Sequence, residues 1–275
     1  MKVQAVKSAR ILVIAGSDSS GGAGIQADIK TAQAFGVYAQ TAITAVTVQN
    51  TLGVTGAHIV PVDVVRDQII ACLSDIGADA IKTGMLGSAP MTQMVADTLA
   101  EYAPGIPLVV DPVMVAKGGS SLLDEDAITV LKKKLLPMAA LITPNLPEAE
   151  ALTGILPVSE HRLRNAAMVF KLLGCNGVLF KGGHAPTSNE KSGDIVRDTL
   201  WFGGDFTEFE TPRQATPHTH GTGCTLATAI ACGLAQGRGM ADAVARAHVY
   251  VQAAIRTAPR LGGGHGPLGH TALSG

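Results

Sequence analysis

Apolar positions along this chain switch repeatedly between two spacings, and the switches lay out its elements. Ile11–Ala15 is an unbroken apolar run turned sharply by Gly16-Ser17-Asp18, which predicts a buried first strand. Gly24–Phe35 takes helical spacing, and Gln40–Val48, rich in Thr, Val and Ile, reads as a second strand. Asp63–Asp75 opens on an acidic cap candidate and carries Val64, Val65, Ile69, Ile70 and Leu73 at helical spacing. Ala80–Thr83 and Pro107–Val110 read as buried strands, with a helix over Ala89–Tyr102 between them. Ala139–Thr143 gives another strand, Ser159–Leu173 a helix that Gly174 can end, and Gly177–Lys181 a further strand. Val196–Phe202 and Phe206–Glu210, joined through Gly203-Gly204-Asp205, predict an antiparallel hairpin. Helices over Thr222–Gln236 and Met240–Thr257 close the series.

Strands alternating with helices imply βαβ units. The expected fold is therefore α/β, with a central, mostly parallel sheet flanked by helices on both faces and an antiparallel edge hairpin. No repeat, low-complexity linker or composition break interrupts the pattern, so residues 1–275 are expected to form a single domain. The polar stretch Ala185–Asp194 has no apolar anchor to repay ordering and predicts a mobile loop or flap. The tail from Gly262 onward is loop-like as well.

Composition narrows the function classes. Basic and acidic residues number 21 and 22, so no field suited to nucleic acid or an anionic membrane is implied. Charged residues make up only 16%, in keeping with strands covered on both faces. The first apolar run is too short for a membrane span and is better placed in a core than in a signal peptide. Cys72, Cys175, Cys224 and Cys232 show neither C-x-x-C spacing nor a disulfide framework, which points to a reduced, cytoplasmic setting.

Two motifs nearly match and fail. Gly16–Gly21 has the glycine spacing of a P-loop, but Gly22-Ala23 stands where Lys-Ser/Thr would be needed. Gly22-Ala23-Gly24-Ile25-Gln26-Ala27 fits a dinucleotide fingerprint, yet Ala42–Asn50 lacks the acid that would hold a ribose. More informative is His220-Gly221-Thr222-Gly223-Cys224-Thr225-Leu226, where two glycines, a hydroxyl and a thiol open an Ala-rich helix. Backbone N–H groups freed at a helix entrance, reinforced by its dipole, make a phosphate cradle. Asn50, Asp111-Pro112-Val113-Met114, Thr143–Glu148 and Lys181–His184 each follow a strand, and the ligand crevice of an open parallel sheet lies beyond such ends.

Taken with Ala15–Gly24, Thr47–Thr51 and Lys82-Thr83-Gly84-Met85-Leu86, these stretches make the chain resemble the ribokinase-like superfamily. Within it, the chain is similar to the hydroxymethylpyrimidine/phosphomethylpyrimidine kinases of thiamine biosynthesis, over about residues 10–266. The resemblance implies successive phosphorylation of 4-amino-5-hydroxymethyl-2-methylpyrimidine and its monophosphate, with ATP as co-substrate and Mg²⁺ as cofactor. It implies that Gln49 bonds the aminopyrimidine edge and that Gly16, Ala23, Asp28, Met85 and Val113 line that pocket. Lys181, Asp111, Asn145 and Thr222 would meet ATP, and Asn145 and Glu148 would organise Mg²⁺ through water. Gly221, Thr222, Gly223 and Cys224 would hold the transferring phosphoryl group. A homodimer is also implied.

Each residue has a structural alternative. Gln49 can cap a strand end, Glu148 can complement a helix dipole, Asp28 can stand solvated on its helix, and Met85 can fill core. His184, His218, His220 and His265 lack metal-ligand spacing, so structural or solvent roles are expected of them. Pyridoxal kinase activity is the nearest alternative, because pyridoxal also carries a hydroxymethyl group on a flat heteroaromatic ring. A silent pyrimidine or nucleotide sensor and a thiol acyl-transferase represent other classes.

Overall fold

The computed structural model describes residues 8–114, 125–184 and 195–272, so the flap expected over Ala185–Asp194 lies outside the described residues. Its first half runs β1 (Arg10–Asp18), α1 (Gly24–Ala34), β2 (Tyr38–Asn50), β3 (Gly53–Ile59), α2 (Val62–Asp75), β4 (Ala80–Thr83), α3 (Ala89–Tyr102) and β5 (Leu108–Val110). The second half runs α4 (Glu125–Val130), β6 (Leu141–Ile142), α5 (Leu146–Thr153), α6 (Glu160–Leu172), β7 (Gly177–Phe180), β8 (Ile195–Phe202), β9 (Asp205–Pro212), α7 (Thr222–Ala235) and α8 (Met240–Arg256).

These strands form one sheet in the order β3-β2-β1-β4-β5-β6-β7-β8-β9. From β2 to β7 neighbours are parallel, while β3 at one edge and β8 and β9 at the other are antiparallel. Alternation along each strand splits the core in two. Leu12, Ile14, Leu108, Val110, Val178 and Phe180 face the layer holding α2, α3, α5 and α6. Ile11, Val13, Val109 and Leu179 face the layer of α1, α7 and α8. Helix α7 is buried nearly all round, from Thr225 to Gly233, so its amino end is fixed firmly against the sheet.

Several local expectations need correction. The sequence pattern missed β3, where Gly53 and Gly56 interrupt the β-branched pattern of an edge strand. It also missed α4, a short helix that continues into a π-turn over Leu131–Leu135. Asp63 is not the cap of α2: Pro61 holds that position and Asp63 lies in the first turn, where its charge meets the dipole. Helix α3 keeps its expected bounds, with the Ser88 hydroxyl accepting from Met91 N at its start.

Candidate active site

The parallel strands deliver their chemistry to one edge. Lys181 follows β7, Asp111 follows β5, and Thr143 follows β6. Lys181 Nζ lies 3.0 Å from Asp111 Oδ1 and 3.8 Å from Glu148 Oε2. Thr143 Oγ1 donates to the same Asp111 oxygen at 3.2 Å. Burial works against the ammonium, but Asp111 and Glu148 hold the Lys181 pKa above its ordinary value. Burial and the neighbouring Asp111 push Glu148 up, against the pull of Lys181.

Glu148 serves the helix and the site together. Asn145 Oδ1 accepts from Glu148 N, and Glu148 Oε2 accepts from Asn145 N, both at 2.8 Å, forming a capping box at the start of α5. The helix-start alternative for Glu148 is thus realised, in a residue that also faces Lys181.

Across the crevice stands the mouth of α7. Its cap, Gly221, has φ of +84° and gives the first-turn amides no side-chain bond. A Cβ there would lie 1.9 Å from the Gly22 carbonyl oxygen, so only glycine permits this approach of two loops. Gly223 presents its bare backbone to the Lys181–Asp111 pair: a Cβ would sit 3.5 Å from Nζ and 3.6 Å from Oδ2. Thr222 turns away from the crevice: its hydroxyl donates to Thr219 O at 2.8 Å and its backbone N–H reaches the same oxygen at 3.4 Å.

Cys224 completes the first turn, half-buried, with the Gly24 backbone beside its sulfur. Burial pushes its thiol up to about 11; Lys82 opposes the rise, and Asp28 and Asp111 reinforce it. It is a neutral thiol near pH 7. Beneath it lies a sealed ion pair, with Lys82 Nζ 3.0 Å from Asp28 Oδ2 and Thr228 Oγ1 donating to Asp28 Oδ1 at 2.6 Å. Asp28 is therefore neither solvated on α1 nor open to the crevice: it is wholly enclosed and underlies the site through Lys82. Lys82, a lysine inside the apolar strand Ala80–Thr83, demands such a buried counter-charge.

On the opposite flank, Gln49 is tied to the β1–α1 loop. Its N–H donates to Ser19 Oγ at 2.9 Å, and that hydroxyl donates back to Gln49 O at 2.8 Å. Its side-chain amide reaches His220 and Thr47. Ala23 N donates to Asp18 Oδ2 at 2.8 Å, and Met85 lies over Gly16, 3.6 Å from where a Cβ would stand. Val113 lies two residues past Asp111, its N–H donating to Asp111 O at 2.9 Å. Sequence alone gives Asp18 and His220 no part in the site, yet they link Gln49 to the Gly221 loop. Two apolar hollows lined by Pro107, Ala140 and Asn176 open at the far end of the strands, away from every residue above.

Among the described residues no cluster of three His, Cys, Asp or Glu side chains could cage a metal ion. Glu148 and Asn145 are committed to each other through the capping box, which suits a hydrated Mg²⁺ held through water rather than by direct ligands.

The chain is 46% identical to the hydroxymethylpyrimidine/phosphomethylpyrimidine kinase of Haemophilus influenzae, over 96% of this chain and 97% of that one. It is 52% identical to the thiamine biosynthesis bifunctional protein ThiED of Geobacter sulfurreducens, covering 94% of this chain but only 52% of that longer protein. Among solved structures, an ADP complex of Bacillus subtilis pyridoxal kinase superposes with a TM-score of 0.86 at 34% identity, over 98% and 99% of the two chains. The phosphomethylpyrimidine kinase of Clostridium difficile superposes at 0.77 with 39% identity, over 88% and 97%. The family model described as phosphomethylpyrimidine kinase matches residues 18–269, and by that match this chain belongs to the phosphomethylpyrimidine kinase family.

Proposed function

We propose that this protein transfers the terminal phosphoryl group of ATP to the hydroxymethyl oxygen of 4-amino-5-hydroxymethyl-2-methylpyrimidine, then to the resulting monophosphate, in thiamine biosynthesis. One observation carries the reading. A short chain of contacts joins the Gln49 amide through His220 to the Gly221–Cys224 turn, and that turn faces Lys181 and Asp111. A flat ring held at Gln49 thus has its substituent beside the helix mouth.

The residues divide the work. Gln49 offers a donor and an acceptor to the aminopyrimidine edge, with Gly16, Ala23, Met85 and Val113 as the walls. Lys181 and the α7 amides neutralise charge on the moving phosphoryl group, where alignment and electrostatics carry most of the catalysis. Asp111 and Glu148 hold Lys181 in place, and Asn145 and Glu148 would hold hydrated Mg²⁺, whose chemistry is charge neutralisation on the ATP phosphates.

Cys224 fits both acceptors. A phosphate monoester has its second pKa near ~6 and is already anionic at neutral pH, so it needs no base. A carboxylate at this position would repel it; a neutral thiol does not.

Pyridoxal kinase activity is the second reading, favoured by the superposition on pyridoxal kinases. The deciding experiment is coupled ATP consumption with the pyrimidine alcohol, then its monophosphate, with pyridoxal as competitor. Turnover of both pyrimidines supports the proposal, and turnover of pyridoxal alone overturns it.

The exposed apolar side chains of Val46, Val48, Leu52 and Ile59 on the β2–β3 edge support the expected homodimer, which light scattering of the purified chain tests. Four free cysteines suit a cytoplasmic setting, and no helix among the described residues is long and apolar enough to cross a membrane.

A further inference from the structure

Gln49 is useful to a heterocycle only if its amide faces a fixed way. In the structure the amide nitrogen lies 3.2 Å from His220 Nε2 and the amide oxygen 3.1 Å from Thr47 Oγ1. Amide oxygen and nitrogen have the same shape, so the donors and acceptors around them decide which is which.

Asp18 settles the first end. Its carboxylate accepts from Ser20 N at 2.8 Å, Ser20 Oγ at 2.7 Å and Ala23 N at 2.8 Å, and it lies 2.8 Å from His220 Nε2. An acceptor-only carboxylate requires that His220 Nε2 carry a hydrogen. The Gln49 atom beside it must then be the oxygen, sharing that hydrogen with Asp18. Thr47 settles the second end independently. Its single hydroxyl hydrogen goes to Ser17 O at 2.9 Å, leaving a lone pair towards Gln49, so the atom there must be the NH₂. Both constraints select one orientation, with the amide oxygen and nitrogen exchanged relative to their placement in the structure. His220 is itself held in place, buried, with its backbone N–H donating to Gly266 O at 3.2 Å.

We infer that Asp18 and His220 are specificity-determining positioning residues: they set the direction in which Gln49 presents its amide to the substrate ring. The inference rests on Gln49 being the ring contact. With one lone pair given to His220 and one hydrogen to Thr47, the amide has one acceptor and one donor left over. That pair matches an exocyclic amine beside a ring nitrogen. It mismatches the 4-oxo counterpart, whose ring N–H and carbonyl present the reversed order.

The test compares kcat/KM of the purified full chain for the 4-amino acceptor and for its 4-oxo analogue. His220→Phe, which keeps a ring but removes the donor, leaves Thr47 alone to orient the amide and should narrow the discrimination about tenfold, the value of one hydrogen bond. His220→Gln, whose terminal NH₂ can replace the Nε2–H, should restore it. A purely structural role would lower both substrates alike, and an unchanged ratio in folded His220→Phe overturns the inference.

Gln49→Ala separates the two levels. If it too leaves the ratio intact, the ring contact at Gln49 is wrong; if it collapses the ratio while His220→Phe does not, only the orienting role falls. Should His220→Phe fail to fold, nitrogen-15 NMR of the wild-type imidazole decides. Hydrogen on Nε2 supports the orientation, and a bare Nε2 overturns it.

Discussion

Lys82 and Asp28 form an ion pair sealed from solvent, with Nζ 3.0 Å from Oδ2 and neither side chain exposed. Desolvating two charges is expensive, and an apolar pair of similar volume is often equally stable or more so. The pair therefore earns its place through what lies above it. Lys82 adds positive potential at the Cys224 turn, where the phosphoryl group would sit, and Asp28 keeps Lys82 charged. Lys82→Met alone should cost about 3–5 kcal/mol by stranding a buried carboxylate. The double variant Lys82→Met with Asp28→Leu should recover most of that stability in denaturant unfolding without recovering kinase activity. Recovery of both would mean the pair is packing only.

The thiol of Cys224, pushed up to about 11, should be protonated throughout the physiological range. The pH profile of kcat for the pyrimidine alcohol should accordingly show no ionisation assignable to Cys224 between pH 6 and 9, tested by comparison with Cys224→Ser. Cys224→Asp should lose the monophosphate step far more than the alcohol step, through repulsion between carboxylate and phosphate. Equal efficiency of Cys224→Asp and wild type on the monophosphate would refute the neutral-thiol account.

Acid stability should depend on Asp18. Burial alone would raise its pKa, but the bonds from His220, Ser20 and Ala23 outweigh burial and hold it at about 2. A carboxyl depressed in the folded state stabilises above its unfolded value, near ~4, and that contribution drains away as pH falls towards 2. Asp18→Asn should lower stability at pH 7 and flatten its loss between pH 4 and 2, as followed by circular dichroism. A wild-type slope in that window would show that other carboxylates control acid unfolding.

The sheet and its flanking helices were legible because buried parallel strands give continuous apolar runs and their helices give clean 3.6-residue spacing. Strand β3 was not, since an edge hairpin needs little burial and tolerates Gly53 and Gly56. In the site, residues at strand ends could be read from their position alone: Asp111, Asn145 and Lys181 each follow an apolar run. Pairings between residues distant in sequence could not. Asp18 meets His220 across 202 positions and Asp28 meets Thr228 across 200, and no local pattern encodes such distances. Lys82 carried the one local clue, a charge embedded in an apolar strand.

The nucleotide side of the site should respond separately from the ring side. Lys181 sits between Asp111 and Glu148, 14% exposed, with its ammonium facing the bare backbone of Gly223. If Lys181 meets the phosphoryl group as proposed, Lys181→Met removes a charge-assisted donor, a change that costs about 10²–10³ in kcat where such donors have been deleted elsewhere. The loss should be equal for the alcohol and the monophosphate, because both draw on the same nucleotide. Glu148→Gln preserves the size of the capping side chain while removing its charge. It should leave the pyrimidine KM unchanged and raise the Mg²⁺ concentration for half-maximal rate about 10–100-fold, as expected for a group acting through metal-bound water. Unequal losses in Lys181→Met would place that lysine on the acceptor instead of on ATP. An unshifted Mg²⁺ dependence in Glu148→Gln would confine Glu148 to its role at the start of α5.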